Sequence, residues 1–172
     1  MSDTSTSAAT DTPQAKVVIE RTYRVRIEDL WELWTTKAGF ESWWGPEGFE
    51  VEVLDLDLRP GGALLYAMSA VAPDQVAFLK QAGMPVRNEH RLTYDEVVPN
   101  RRLTYRHVVD FVPGASHYEV VTEVDLETGP HGVRMVLTFD AMHDEQWTRL
   151  ASMGWDQELA KLSRRLTPAA ER

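Results

Sequence analysis

The sequence predicts an α+β fold: a curved seven-stranded antiparallel sheet around one long C-terminal helix, with two short helices after the first strand. Three observations predict it. Apolar residues alternate through most of the stretch from Phe49 to Asp140, the period of strands with one buried face. Short turns rich in Gly, Pro and Asn separate these runs, and short connections make neighbouring strands antiparallel. The last part of the chain carries one amphipathic helical stripe, so strands precede the main helix rather than alternating with helices.

The first strand is Lys16–Val25, where Val17, Ile19, Tyr23 and Val25 alternate and Arg21 breaks the pattern. Leu30, Trp31, Leu33 and Trp34 then recur at helical spacing, with Glu28 and Asp29 in the first turn, where the helix dipole favours acids. A second short helix covers Lys37–Trp43, and Gly45, Pro46 and Gly48 break it. Phe49–Leu58 reads as a strand whose apolar set changes parity between Val53 and Leu54, as a bulge or kink would cause. Arg59-Pro-Gly-Gly62 is a turn, and Ala63–Ser69 is the return strand with Leu64, Tyr66 and Met68 on one face. Glu89–Val97 and Leu103–Asp110 form a hairpin around Pro99-Asn100, and Tyr118–Glu127 and Val133–Asp140 form another around Gly129-Pro-His-Gly132.

The segment 71–88 interrupts this rhythm. Pro73–Gly83 predicts about three helical turns, with Val76, Phe78 and Leu79 apolar and Gly83 as a stop. It is either a surface excursion packed on the sheet edge or a lid over a cavity, since long connections often carry function. The final helix, Asp144–Leu166, has Asp144 as its N-cap. At about 100° per residue, Trp147, Leu150, Ala151, Gly154, Trp155, Leu159, Leu162 and Leu166 share one broad stripe. Glu158 falls inside that stripe, where an unpaired carboxylate is costly. It either joins Lys161 and Arg165 in a solvated patch or orients a ligand beside Trp155.

Composition narrows the function. The 172 residues carry 18 Lys+Arg against 27 Asp+Glu, a formal charge of −9, which argues against nucleic acid as the partner. There is no cysteine, which removes disulfides, thiol nucleophiles and zinc-cysteine sites together. The five histidines form no metal-binding pair, no phosphate loop or dinucleotide fingerprint is present, and no serine sits in a nucleophile motif. We therefore expect no metal and no cofactor. No apolar run is long enough to span a membrane, and a cytoplasmic location fits. Residues 1–15, Ser/Thr-rich and without a signal pattern, read as a disordered tail, 16–166 as one domain and 167–172 as a frayed end.

Five motifs carry a family resemblance across roughly residues 16–166. They are Leu30-Trp31 with Leu33-Trp34-Thr35, Ser42-Trp-Trp-Gly-Pro46, Asp57-Leu-Arg-Pro-Gly-Gly62, Glu96-Val-Val-Pro-Asn-Arg-Arg-Leu103, and Gly154-Trp155 with Leu159 and Leu162. In this order they resemble the SRPBCC superfamily of START-like, helix-grip domains. The likeness is to the branch named after the C-terminal domain of the activator of the ninety-kilodalton heat-shock protein ATPase. The resemblance implies a cavity between sheet and last helix, and a small apolar or aromatic ligand as partner. Cyclase-like or hydrolytic catalysis in the same cavity is the alternative; a chaperone or stress-response partner role is third. A homodimer is left open. We expect the cavity wall to use Trp34, Trp44, Tyr66, Met68, Phe78, Tyr105, His107, Trp147, Ala151, Trp155 and Glu158. His107 shares a strand face with Leu103, Tyr105 and Val109, which makes it the candidate acid–base group.

Overall fold

In the computed structural model, which describes residues 15–167, the strands are β1 (Lys16–Tyr23), β2 (Phe49–Leu56), β3 (Ala63–Ala70), β4 (Arg87–Val98), β5 (Arg102–Val109), β6 (Tyr118–Gly129) and β7 (Gly132–Asp140). They form one antiparallel sheet in the order β1-β7-β6-β5-β4-β3-β2. Helices α1 (Ile27–Thr35) and α2 (Lys37–Glu41) carry the chain from the β1 edge to the β2 edge. From there each strand pairs with the next until β7 meets β1. The remaining helices are α3 (Pro73–Gln81), between β3 and β4, and α4 (Glu145–Leu166). The tail expected at 1–15 and the frayed end at 167–172 lie, apart from Ala15 and Thr167, outside the described residues.

Helix α1 buries Leu30, Trp34 and Thr35, and Trp43 hydrogen-bonds back to it, its indole N–H donating to the Leu33 carbonyl at 2.8 Å. Thr36 caps α2 by accepting from Gly39 N–H at 3.0 Å. This helix ends two residues earlier than its apolar pattern suggests. The N–H groups of Ser42, Trp43 and Trp44 turn back onto the Gly39 and Phe40 carbonyls instead of extending the helix.

The parity change in β2 is a bulge: the register with β3 shifts between Val53 and Asp55. Glu41 of α2 accepts from Val53 N–H at 2.7 Å and Lys37 donates to the Val53 carbonyl at 3.0 Å, so α2 holds both backbone groups of the residue beside the bulge. Arg21, the odd residue in β1, reaches Asp156 of α4 at 2.9 Å, tying strand to helix across the inner face.

The β4–β5 hairpin differs from expectation in a way that matters for function. Its strands pair only from Val98 and Arg102 out to Thr93 and Arg106, with a bulge between Tyr94 and Glu96. Beyond that point β4 continues against β3 as far as Arg87, and β5 continues against β6 as far as Val109. The two no longer pair with each other, so the sheet forks.

Two apolar clusters result. The larger gathers the Trp34, Phe40, Trp43 and Trp44 rings, the inner faces of the strands and Leu159 and Leu162 of α4. The smaller, beyond the fork, holds Val109, Val112 and Val120, with Tyr118, Met142 and Trp147 packed on them. Asp144 caps α4 by accepting from Trp147 N–H at 2.8 Å. The stripe read along α4 buries only Leu159 and Leu162 completely. Leu150, at the edge of that stripe, is 48% exposed.

Candidate functional site

A cavity of about 890 Å³ lies between the middle of α4 and strands β3 to β7. Alternation along each strand sets its inner wall: Tyr66 of β3, His90 and Leu92 of β4, Tyr105 and His107 of β5, Val120 and Thr122 of β6, and Phe139 of β7. Ala151, Gly154, Trp155 and Glu158 face them from α4, one and two helical turns apart, and Trp44 closes one end. The Trp44 and Trp155 rings meet edge to face at 5.6 Å. At Gly154 the helix comes with no side chain, and a Cβ built there meets nothing within 4 Å.

The cavity reaches the surface through the fork. Thr93 and Arg106, the last registered pair, and beyond them Arg91 of β4 and Val108 of β5 alternate with the inner set, yet they border the same space, because the strand segments past that pair leave a slot between them. Met84, Asn88 and Glu89, which follow α3, and Phe111 after β5 stand at the rim.

The polar groups inside are few. Tyr66 and His90 are cross-strand partners, and their rings stack at 5.2 Å. Burial lowers the pKa of His90, against an opposing pull from Asp110. Burial lowers that of His107 as well, and His90 adds to the effect. Burial raises the phenols of Tyr66 and Tyr105, and the charge of Glu158 pushes both further up. Glu158 itself is raised to about 7, chiefly by burial, with Lys161 and the Gly45 N–H pulling the other way. Lys161 gives no ion pair within 4 Å to Glu158; its ammonium donates to the carbonyls of Trp44 at 3.3 Å and Gly45 at 2.9 Å. His90 Nε2 is a buried polar atom on the wall with no hydrogen-bond partner among the described residues, and the only side-chain group that bonds the buried Tyr105 hydroxyl is Thr122, in poor geometry. At neutral pH burial therefore favours neutral imidazoles and neutral phenols on the inner wall and holds the Glu158 carboxyl near half-protonation.

The structure brings together Trp44, Tyr66, Met68, Tyr105, His107, Ala151, Trp155 and Glu158 from the expected wall. It does not bring three others. Trp34 is 2% exposed inside the larger cluster, packed edge-on against Trp43 at 4.8 Å, because α1 lies beneath the cavity's end rather than along it. Phe78 is 63% exposed on α3, a helix that buries none of its residues. Trp147 packs on Phe111 at 6.0 Å in the smaller cluster, one turn too early on α4. Sequence reasoning missed His90, Leu92, Thr122, Phe139 and Gly154 as wall residues. Alternation with Leu92 and Tyr94 would have placed His90 on the inner face.

Comparison with known proteins agrees with this architecture. Residues 24–167 match the family described as Activator of Hsp90 ATPase homolog 1-like protein. Protein CV1439 from Chromobacterium violaceum is 22% identical, with a TM-score of 0.71 over 89% of this chain and 97% of its own. The AHSA1 protein from Silicibacter pomeroyi is 23% identical, with a TM-score of 0.68 over 92% of this chain and 100% of its own. A protein from Arthrobacter aurescens gives a TM-score of 0.69 at 18% identity, covering 90% of this chain and 87% of its own. At these identities the likeness is one of fold. No curated protein matches. Among the described residues no helix is long and apolar enough to cross a membrane.

Proposed function

The chain belongs to the Activator of Hsp90 ATPase homolog 1-like family, and we propose that it uses the family's fold to bind a small, largely apolar or aromatic ligand between the sheet and α4. The observation that carries this reading is the cavity itself. Its roughly 890 Å³ falls within the range of about 300–1,000 Å³ typical of small-molecule sites. Its wall is mostly aromatic and aliphatic, with a handful of polar groups on the strands and one carboxyl on the helix, the pattern by which apolar pockets fix a ligand's orientation. The ligand enters through the fork between β4 and β5.

Native mass spectrometry of the purified chain, with a thermal-shift screen of aromatic and aliphatic small molecules, tests the reading. A ligand that binds only the native state must raise the melting temperature with its concentration. Stabilising compounds that lose their effect when Gly154→Phe fills the cavity support the proposal. A broad screen with no stabilising compound, and no retained mass on the native protein, overturns it.

Glu158 and His107 favour one second reading, catalysis in the same cavity. Both have pKa values displaced by burial, which suits proton transfer near neutral pH. Turnover of a bound compound, abolished by His107→Gln or Glu158→Gln, would distinguish an enzyme from a carrier.

A further inference from the structure

We infer that the chain closes the fork itself: residues 6–12 of its own N-terminal segment add as a strand along the free edge of β4. Such a strand needs no ligand in the cavity, and it covers the mouth between β4 and β5.

The fork exposes a strand edge inside the sheet. Tyr94 spends both backbone groups on the β3 side: its N–H donates to the Gly62 carbonyl at 2.9 Å, and its carbonyl accepts from Gly61 N–H at 2.8 Å. Backbone direction alternates along an antiparallel strand, so His90 and Leu92 also face β3, while Arg87, Glu89, Arg91 and Thr93 face β5. Thr93 is the last of these with a partner there, Arg106. The N–H and C=O groups of Arg87, Glu89 and Arg91 therefore point into the fork with no ladder partner, and all three residues are exposed. Val108, 52% exposed, faces them from β5 in the same way. A free edge of this kind is a template for one more strand.

The N-terminal segment starts beside this edge. Ala15 still accepts from Ala141 N–H at 2.7 Å. Lys16 pairs with Asp140, and through Val121 that row continues to Arg106, at the vertex of the fork. The start of β1, the end of β5 and the start of β4 share one end of the antiparallel sheet, which is the end at which the fork opens. Four strand spacings, about 19 Å, separate β1 from the fork. Residues 1–14 reach about 46 Å when extended. Their sequence has the period of a strand: Thr4, Thr6, Ala8, Thr10 and Thr12 alternate with Ser5, Ser7, Ala9 and Asp11, with no Gly or Pro before Pro13. Charge agrees as well. The segment carries Asp3 and Asp11 and no basic side chain, whereas the edge carries Arg91, which has no ion pair among the described residues, and Arg87, held by Glu52 at 3.1 Å. A segment entering from the open end runs antiparallel to β4. That direction sets Asp11 near Arg87 and the uncharged run from Thr6 to Thr10 beside Glu89. The tether holds the segment at an effective concentration on the order of millimolar, so a strand of modest intrinsic affinity is occupied.

Residue-resolved amide exchange by NMR on the full chain tests this against the double variant Ala8→Pro with Ala9→Pro. Adjacent prolines remove a donor of either parity, and they lie outside the folded body, so the variant keeps its fold. The fork-facing amides of Glu89 and Arg91 should exchange about tenfold more slowly in the parent than in the variant. Those of His90 and Leu92, directed to β3, should not change. Equal exchange of Glu89 and Arg91 in both proteins overturns the inference. The chain has no cysteine, so Ser5→Cys carries a single nitroxide. In dilute solution the label should broaden resonances of residues 87–92 and 107–109. No broadening there overturns the inference. Broadening that appears only when labelled chains are mixed with unlabelled, isotope-enriched ones overturns it also, because the strand then comes from a second copy. No arm contains a ligand, so failure here leaves the reading of the cavity intact.

Discussion

Glu158 is the residue at which stability and site chemistry meet. Its carboxyl is raised from 4.5 to about 7 in the folded chain. Between those two values the native state keeps a proton that the unfolded state gives up. A raised pKa therefore contributes stability that is complete below about pH 4.5 and is lost as pH climbs through 7. The groups around it are Lys161 on α4, Tyr66 on β3, His90 on β4, and Tyr105 and His107 on β5. The two histidines act in the opposite sense: lowered by burial, they cost stability as pH falls below their unfolded value of 6.5. Glu158→Gln removes the carboxyl's share and leaves theirs. The variant should gain on the parent as pH rises from 5 to 8, by on the order of 1–3 kcal/mol at pH 8, measured by thermal or urea unfolding. A gap that is constant with pH would mean that the carboxyl is solvated. Gly154, one turn earlier, gives a second prediction. It lies inside α4 with open space where its Cβ would be, so Gly154→Ala should stabilise by about 0.5–1 kcal/mol through helix propensity alone.

The elements were legible in the sequence to different degrees, for physical reasons. Alternation marks which face of a strand is apolar, and it located all seven strands and even the bulge at Val53, where the parity of the pattern changes. The fork between β4 and β5 left no such mark, because whether two strands keep pairing is a property of their separation and not of either sequence. The same limit explains the wall residues. The helical wheel put Trp147 and Trp155 on one face of α4, yet only Trp155 reaches the cavity, since depth along a helix is set by what packs at each turn. Helix α3 is the clearest case of an element whose role the sequence left open. It buries nothing, and its base is already closed by the Ala70 N–H donating to the Val86 carbonyl at 2.8 Å and by the Ser69–Arg87 pairing. Replacing residues 72–85 with a short glycine-containing turn should therefore cost less than about 1 kcal/mol in urea unfolding. Loss of several kcal/mol would show that α3 is packed on the body.

At the scale of the whole molecule, α4 bridges two apolar clusters of unequal strength. Its second half buries Leu159 and Leu162 in the larger cluster, which takes in α1, α2 and most of the sheet. Its first half touches the smaller one through Trp147, and that cluster rests on three buried valines, Val109, Val112 and Val120. Between the two lies the cavity, with no side chain spanning it at Gly154. Where few apolar contacts hold a segment, local opening is less costly than global unfolding. The ligand-free chain should thus exchange amide protons faster over 145–153, and over the forked segments 87–92 and 107–109, than over 159–166 and the paired stretch 94–98 with 102–105. A ligand seated between Trp155 and the strands supplies the missing contact between the clusters. Its binding should slow exchange in the first half of α4 and on both sides of the fork together, and change the second half of α4 little. Hydrogen exchange read by mass spectrometry, with and without a compound that stabilises the chain, measures both effects. Uniform protection along α4 in the free protein would mean that the helix is already fully docked and that the cavity plays no part in holding it.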